Sequence, residues 1–250
     1  ADDWAVLNAA DPWFDAFAEV ARGRVLPFRA SGLPAQGVCL DAGTLVVRID
    51  DEPAQRFEFD WRQPGAHNRE NAVAASAAVF AHGADLASAV RALPAFEPLP
   101  HRSELVARWD GVDFIDDSKA TNPGAAQRAL EGSSRPLVWI AGGRAKGLDL
   151  APLAATARER IRAAVLIGEA APTLERALAG GPPTWTEPSI EDAVRRAAGL
   201  AAQGDVVLLA PGCSSLDQFR NFEERGRRFR EAALALPGAQ VPHDAAAGAR

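Results

Sequence analysis

The spacing of apolar positions changes near residue 98 and divides the chain into two patterns. In the first pattern, apolar residues at helical spacing predict three helices: one from Pro12 up to Gly23, one over 71–81 and one over 86–93. Short apolar runs between turn residues predict strands over 24–28, 38–40, 45–49 and 55–59, the last three as an antiparallel meander. Pro94, Pro98 and Pro100 then interrupt the chain. We therefore predict a domain boundary between residues 98 and 99.

In the second pattern, apolar runs alternate regularly with amphipathic stretches. The runs predict strands over 112–115, 137–141, 163–167 and 206–210, with a weaker one over 184–186. The amphipathic stretches predict helices over 124–130, 150–158, 173–178 and 190–201, and a long one from Asp217 to about Leu236. Alternation of strands and helices is typical of a mostly parallel sheet with right-handed crossovers. The predicted fold class is therefore α/β.

Composition narrows the functional class. The chain is 48% hydrophobic and 24% charged, as expected for a globular protein, and its net charge of −6 argues against a nucleic-acid surface. It has no apolar run of about 18 residues and no signal peptide, so we expect a cytoplasmic protein without a membrane partner. Cys39 and Cys213 follow neither a metal-ligand nor a disulfide pattern. Methionine is absent even at position 1, which leads us to expect a fragment.

Only two lysines, Lys119 and Lys146, occur beside 25 arginines, and both follow predicted strands. Ligands of open α/β sheets bind at the carboxyl ends of strands. A lysine is a compact point charge suited to one carboxylate or phosphate oxygen, whereas arginine is a planar fork. These lysines are therefore candidate ligand contacts, although the chance survival of two surface lysines is an alternative.

The loop over 116–122 reads Asp-Asp-Ser-Lys-Ala-Thr-Asn and precedes a helix that begins at Pro123. Thr121 or Asn122 would suffice as the helix cap, so the other polar residues exceed what capping requires. Acidic groups suit ribose hydroxyls or a metal, and lysine suits a carboxylate or phosphate. The loop over 142–147, Gly-Gly-Arg-Ala-Lys-Gly, would let backbone approach a ligand closely, although it lacks the phosphate-loop and dinucleotide spacings and is compatible with a plain tight turn.

Three further segments carry polar groups. Pro-Gly-Cys-Ser-Ser over 211–215 offers hydroxyls and backbone N–H groups to an anion, or the serines simply cap a helix. This segment lacks the nucleophile elbow, which argues against acyl transfer through a serine. The helix that opens at His67 presents Asn68 and Asn71, although Asn68 is also a plausible cap. Arg102 follows the proline segment and either contacts a ring or anion or is an exposed linker residue.

Taken in order, five segments of this sequence resemble the Mur ligase family. They are Gly-Ala-His-Asn-Arg-Glu-Asn-Ala at 65–72, Leu-Pro-His-Arg-Ser-Glu at 99–104, Asp-Asp-Ser-Lys-Ala-Thr-Asn at 116–122, Gly-Gly-Arg-Ala-Lys-Gly at 142–147 and Ser-Ser-Leu-Asp-Gln-Phe-Arg-Asn-Phe-Glu-Glu-Arg-Gly at 214–226. The form Ser-Lys-Ala-Thr-Asn resembles the D-glutamate-adding member. The resemblance implies amide formation in peptidoglycan precursor synthesis. ATP, with Mg²⁺, phosphorylates the carboxylate of UDP-N-acetylmuramoyl-L-alanine, and the amine of D-glutamate attacks the acyl phosphate.

The resemblance also implies roles for individual residues. The nucleotide contacts would be Asn68, Asn71, Arg102 and Asp117. The D-glutamate contacts would be Thr121, Lys146, Ser215 and Phe222. Lys119 and His67 would be catalytic residues. We expect a monomer whose partners are the two small substrates.

The sequence departs from the family in what it lacks. It has no UDP-binding domain, no Gly-Lys-Ser/Thr loop and no lysine before Lys119 that could be carbamylated. The resemblance thus implies that residues 1–98 are the latter part of an α/β central ATP-binding domain and that 99–250 are a Rossmann-like C-terminal domain for the amino acid. Metal ligands would lie outside this chain, and the chain alone would be inactive. The alternatives are a folylpolyglutamate synthase-like or another Mur ligase, and a non-catalytic truncated binding module.

Overall fold

The computed structural model describes residues 3–32, 36–50, 52–61, 66–96 and 99–242, with the side chains of Ala66 and His67 outside the description. The chain divides into two compact units, residues 1–97 and 98–250. No helix in these described ranges is long and apolar enough to cross a membrane.

The first unit is a five-stranded sheet in the order β1-β2-β3-β4-β5 with helices packed on it. Its strands are β1 (Trp4–Asn8), β2 (Arg24–Arg29), β3 (Gly37–Asp41), β4 (Thr44–Arg48) and β5 (Gln55–Glu58). Its helices are α1 (Phe14–Val20), α2 (Ala66–Ala81) and α3 (Leu86–Ala92). The antiparallel meander is confirmed for β3, β4 and β5, whereas β1, β2 and β3 pair in parallel.

The apolar residues of this unit separate into a core and an exposed helix. Leu26, Leu45 and Val73 are fully buried where α2 and the sheet meet. The predicted helix α1 exists, but Trp13 is 67% exposed and Phe17 57% exposed. None of the residues of α1 is buried, so its apolar spacing does not mark a core-facing side.

The second unit is a six-stranded sheet in the order β10-β9-β8-β11-β7-β6. Its strands are β6 (Glu104–Trp109), β7 (Val112–Asp116), β8 (Leu137–Gly142), β9 (Ile161–Ile167), β10 (Thr184–Thr186) and β11 (Val206–Gly212). Every pairing is parallel except that of β6 with β7. The predicted α/β class with a mostly parallel, Rossmann-like sheet is therefore confirmed in this unit.

Helices cover both faces of this sheet. They are α4 (Pro123–Glu131), α5 (Ala151–Arg160), α6 (Ala171–Leu178), α7 (Ile190–Leu200) and α8 (Phe222–Leu234). Side chains of a strand point alternately to opposite faces. In β8, Trp139 packs with the core under α4, α5 and α6, and its neighbour Ile140 packs with the core under α7 and α8. Both residues are fully buried, so β8 lies at the centre of a three-layer unit.

The structure differs from the prediction for this unit at two places. Strand β6 was not predicted, although Asp110-Gly111 between β6 and β7 is a hairpin turn signal. The last helix does not begin at Asp217. It begins at Phe222, because the Asn221 side chain accepts a hydrogen bond from the Glu224 N–H and caps the helix there.

Candidate functional site

The polar loops of the second unit follow the carboxyl ends of its parallel strands. The chain runs from β7 through β8 and β9 to β10 in one direction across the sheet and then returns to place β11 between β8 and β7, so its direction reverses at β11. Open α/β sheets bind ligands at such a switch point. Lys119 follows β7 by three residues, and Lys146 follows β8 by four. The predicted strand-end position of both lysines is thus confirmed.

A buried carboxylate, Asp116, forms hydrogen bonds with a residue before β6 and with one after β7. Its Oδ2 lies 2.7 Å from the His101 Nδ1, and its Oδ1 accepts a hydrogen bond from the Ser118 N–H at 2.8 Å. The bond to Asp116 raises the pKa of His101 above its ordinary value. His101 also has a left-handed backbone, with φ of +62°. Its carbonyl accepts the Lys119 N–H at 3.0 Å and thereby fixes the 116–122 loop.

Asp117 is a second buried carboxylate, 7% exposed. Its Oδ1 accepts one hydrogen bond, from the Ser103 N–H at 3.2 Å. Burial raises the pKa of Asp117 from 3.8 to about 6, and the nearby Arg102 charge partly counters this rise. Arg102 itself is exposed. The pair therefore offers a carboxylate of raised proton affinity beside an accessible guanidinium.

Lys119 and Phe222 meet across two loops. The Lys119 Nζ lies 4.1 Å from the centroid of the Phe222 ring, within the range of a cation–π interaction. The His101 ring approaches the same phenyl ring edge-on at 6.3 Å. Asn122, rather than Thr121, caps α4 by accepting the Ala125 N–H. Thr121 is half-buried, and its side chain is not needed as the cap.

The Gly-rich loop after β8 pairs with the loop after β11. Arg144 and Ser214 exchange two backbone hydrogen bonds, of 2.8 and 3.0 Å. Gly143 has a φ of +120°, and a side chain there would overlap the Ser214 carbonyl. Glycine is therefore required for this close approach. Ser215 follows directly and is 3% exposed. Neither Ser214 nor Ser215 caps α8, because the cap of that helix is Asn221.

Lys146 lies in the same Gly-rich loop with an exposed side chain. Its φ is +53°, a left-handed conformation that is strained for a residue with a Cβ. The neighbouring Arg144 is held by Glu169 through two hydrogen bonds, of 3.0 and 2.7 Å. In the part of the chain that the structure describes, no carboxylate pairs with Lys146. The loop therefore presents one unpaired cation at the edge of the sheet.

Three side chains that could bind a metal are hydrogen-bonded within the protein. Ligand atoms of His101, Glu104 and Asp116 lie within 4.8 Å of one another. However, His101 and Asp116 bond to each other, Glu104 accepts the His101 N–H, and Arg230 donates to the other Glu104 oxygen. These side chains form a hydrogen-bond network. The Cys213 thiol is also inert, because burial raises its pKa to about 11.

The remaining predicted residues lie in the first unit. Asn68 and Asn71 are in the first two turns of α2, so Asn68 is inside the helix and does not cap it. Asn71 is exposed and Asn68 half-buried. The backbone of His67 belongs to α2, but its side chain lies outside the described part, and its predicted role stays a prediction.

Sequence reasoning overlooked Arg225 and Ser118, which are both fully buried beside these loops. The Arg225 Nε donates to the Ser118 Oγ at 2.9 Å. A signal was available, because Phe222, Arg225 and Phe229 recur at helical spacing on one side of α8. An arginine on the apolar side of a helix indicates a buried partner.

Comparison with known proteins gives matches over this region and beyond it. Residues 101–213 match the family model described as "Mur ligase, glutamate ligase domain". The UDP-N-acetylmuramoylalanine–D-glutamate ligase of Geotalea daltonii is 40% identical over 237 residues, which are 95% of this chain and 52% of that protein. The ligase of the same name from Salinibacter ruber is 42% identical over 233 residues, 92% of this chain and 49% of that protein. The chain spans about half the length of the curated relatives it matches.

Solved structures share the fold at low sequence identity. MurF from Acinetobacter baumannii aligns with a TM-score of 0.63 and 18% identity, over 92% of this chain and 52% of that one. The folylpolyglutamate synthase of Mycobacterium tuberculosis aligns with a TM-score of 0.61 and 21% identity, over 96% of this chain and 56% of that one. The chain is thus similar in sequence over nearly its whole length to UDP-N-acetylmuramoylalanine–D-glutamate ligases, and residues 101–213 match the glutamate ligase domain of the Mur ligases.

Proposed function

We propose that this chain supplies the amino-acid-binding part of an ATP-dependent ligase that joins D-glutamate to UDP-N-acetylmuramoyl-L-alanine through an acyl phosphate. The observation that carries the proposal is the unpaired, exposed Lys146 in the 142–147 loop. Backbone hydrogen bonds between Arg144 and Ser214 join this loop to the segment that contains Ser215. A dicarboxylate needs a cation and hydroxyl or N–H donors close together. Identity of about 40% to D-glutamate ligases over 95% of the chain supports D-glutamate as that dicarboxylate.

The D-glutamate contacts we propose are Thr121, Lys146, Ser215 and Phe222. The Lys146 ammonium would bind one carboxylate, and the hydroxyls of Thr121 and Ser215 would donate to carboxylate oxygens. Lys146 has a strained, left-handed backbone, and such strain is found mainly at functional sites, where it positions a side chain. Phe222 would border the same site and keep Lys119 in place through the ring contact.

We propose nucleotide contacts in each of the two units. In the second unit, the buried Asp117 carboxylate has one oxygen bonded to the Ser103 N–H, and the other could accept a ribose hydroxyl. The exposed Arg102 beside it suits stacking on the adenine or contact with phosphate. In the first unit, the amides of Asn68 and Asn71 at the start of α2 suit a polar ligand group at the positive helix end. These four residues suit contacts with ATP. By contrast, His101, Glu104 and Asp116 are hydrogen-bonded within the protein and do not form a Mg²⁺ site.

The chemistry requires positioning and charge neutralisation rather than a covalent nucleophile. The amine nitrogen forms a bond to the acyl carbon, the carbon–oxygen bond to phosphate breaks, and the amine loses a proton. ATP would supply the activating phosphoryl group, and Mg²⁺ bound outside this chain would neutralise its charge. We propose Lys119 and His67 as the catalytic residues of this chain, with the Lys119 ammonium beside developing negative charge.

The proposal is tested by titrating the purified chain with D-glutamate and with L-glutamate while recording backbone amide NMR spectra. We expect D-glutamate to perturb the amides of Lys146, Thr121 and Ser215, and Lys146→Gln to abolish the effect. Arg160→Gln, at the exposed end of α5, is the matched control and should leave the titration unchanged. Tighter binding of L-glutamate would favour a folylpolyglutamate synthase-like reaction, and binding of neither would contradict a ligase role.

A second experiment tests activity. Fusing this chain in place of the matching half of the Geotalea daltonii ligase should restore ATP-dependent D-glutamate incorporation. The 250-residue chain by itself should show no turnover. Turnover by the isolated chain would overturn the assignment of residues 1–98 as only the latter part of an ATP-binding domain.

A further inference from the structure

The Arg225 guanidinium is completely buried and binds two different loops. Its Nε donates to the Ser118 Oγ at 2.9 Å, and one terminal nitrogen donates to the Ser118 carbonyl at 2.9 Å. The other terminal nitrogen donates to the Cys213 carbonyl at 3.2 Å. Ser118 belongs to the loop after β7, and Cys213 to the loop after β11. One side chain thus joins loops that are 95 residues apart in sequence.

Ser118 extends this connection to a third segment. Its Oγ donates to the Phe222 carbonyl at 2.8 Å, at the start of α8. Its backbone N–H donates to Asp116. Each of the three connected segments carries a residue that we propose contacts D-glutamate: Thr121, Ser215 and Phe222. Arg225 therefore bonds to two of these segments directly and to the third through Ser118.

A role in stability alone explains this arrangement poorly. In the part of the chain that the structure describes, no carboxylate forms an ion pair with Arg225. Burying a charge without a partner is unfavourable, and an apolar side chain of similar volume often serves stability as well or better. An apolar side chain, however, could not hold the Ser118 hydroxyl and the Ser118 and Cys213 carbonyls in one plane. The guanidinium fork does this by its geometry.

We propose that Arg225 is a positioning residue, whose buried fork sets the relative placement of the 117–122 loop, the 213–215 segment and the start of α8, and thereby the affinity for D-glutamate. This inference rests on the proposed function for its ligand. The placement itself is a property of the second unit alone. Lysine at this position would keep the charge but could not satisfy the three acceptors in the same plane.

The test compares three variants of the full chain: Arg225→Lys, Ser118→Ala and Arg227→Lys. Arg227 lies on the same helix with an exposed side chain that bonds to Glu231 within α8, so it controls for an Arg-to-Lys change in α8. The measurements are the D-glutamate Kd by NMR titration, the amide signals of Ser118, Ser214 and Phe222, and thermal unfolding. Working well below each variant's Tm separates positioning from global stability.

We expect Arg225→Lys and Ser118→Ala to raise the Kd at least tenfold and to shift the amide signals of all three segments together. The double variant should weaken binding by less than the product of the two single effects, because both act through one hydrogen bond. Arg227→Lys should leave the Kd within twofold. Arg225→Lys that binds D-glutamate within twofold of the unsubstituted chain would overturn the inference, even if its Tm is lower.

Amide hydrogen exchange tests the placement without a ligand. Arg225→Lys should raise exchange at 118–122 and 213–222 at least tenfold while exchange in α5 stays unchanged. Failure of the unsubstituted chain to bind D-glutamate would contradict the proposed function, yet a tenfold rise confined to these segments would still support the placement by Arg225. Equal exchange in both proteins would refute it.

Discussion

Gly226 packs so closely against His101 that a methyl group at its Cα would overlap the imidazole Nδ1 and the Asp116 Oδ2 that bonds to it. Glycine is normally unfavourable in the middle of a helix by about 1 kcal/mol relative to alanine. Here the helix α8 uses glycine because the His101–Asp116 pair lies against its backbone. The position is thus determined by a contact and not by helix propensity.

Gly226→Ala should destabilise the second unit by roughly 2 kcal/mol, because overpacking outweighs the gain in helix propensity. Gly199→Ala in α7 is the matched control, since a Cβ there meets nothing within 4 Å. That variant should instead stabilise by up to about 1 kcal/mol. Urea unfolding of both variants measures the difference, and equal effects of the two substitutions would contradict the close contact.

Asp117 should make the second unit less stable at neutral pH than at acidic pH. Its pKa is about 6 in the folded chain against 3.8 ordinarily, so the folded state holds the proton more tightly. The contribution of Asp117 to stability is therefore fully present below pH 3.8 and is lost as the pH rises through 6. Each pKa unit corresponds to about 1.4 kcal/mol, which sets the loss at about 3 kcal/mol at most.

Asp117→Asn should accordingly raise the free energy of unfolding at pH 7 by up to about 3 kcal/mol and leave it unchanged at pH 3.5. The same variant should weaken nucleotide binding if Asp117 contacts the ribose. Glu175→Gln, which removes an exposed carboxylate on α6, should show neither effect. The measurement is denaturant unfolding across this pH range, and an Asn variant that is not stabilised at pH 7 would argue against the buried charge.

The His101–Asp116 hydrogen bond predicts a second pH dependence, at higher pH. It raises the pKa of His101, so the folded state favours the imidazolium. Its stabilisation is complete below about pH 6.5, the ordinary histidine pKa, and is lost as the pH rises through the raised folded-state pKa. Unfolding of His101→Asn should lack this decline, and asparagine tolerates the left-handed backbone at this position. A decline of the same size in His101→Asn would assign the effect to another group.

Lys146→Gly should separate stability from ligand binding. Glycine relieves the left-handed strain and should stabilise the second unit by about 1 kcal/mol or less. It should also abolish the binding of D-glutamate, because the cation is gone. Ala42→Gly, with a φ of +47° in the turn between β3 and β4, should give a similar gain in its own unit without affecting binding. Retained D-glutamate binding by Lys146→Gly would exclude Lys146 as the carboxylate contact.

The main elements of the second unit could be predicted because its central strands are continuous apolar runs, such as Val206–Gly212. Loops that follow such strands meet at one sheet edge, so the positions of Lys119 and Lys146 followed from sequence. β6 was not predictable because it carries the polar Glu104 and Arg108, and because its pairing with β7 shifts register between Leu105 and Ala107. An edge strand of this kind lacks the regular alternation on which the prediction depends.

The start of α8 and the partners of Arg225 were not predictable from local spacing. Phe219 and Phe222 extend the apolar spacing of α8 towards its N-terminus, although the helix itself begins only at Phe222, after the Asn221 cap. The spacing of Arg225 from Phe222 and Phe229 indicates that it is buried, unlike its charged neighbours on the helix, but not what it binds. The partners of Arg225 lie about 10 and 100 residues away, so no pattern within the helix identifies them.

The central position of β11 has a consequence for how this unit folds. β11 occupies the gap between β7 and β8, yet its residues follow those of β7 by about ninety positions. Pairing across such a distance requires closure of a long loop, and contacts of this kind slow folding. The sheet edge that carries the 116–122 and 142–147 loops can thus be completed only after most of the chain has been made. Ribosome-bound chains that end before residue 206 would have β7 and β8 without the strand that joins them.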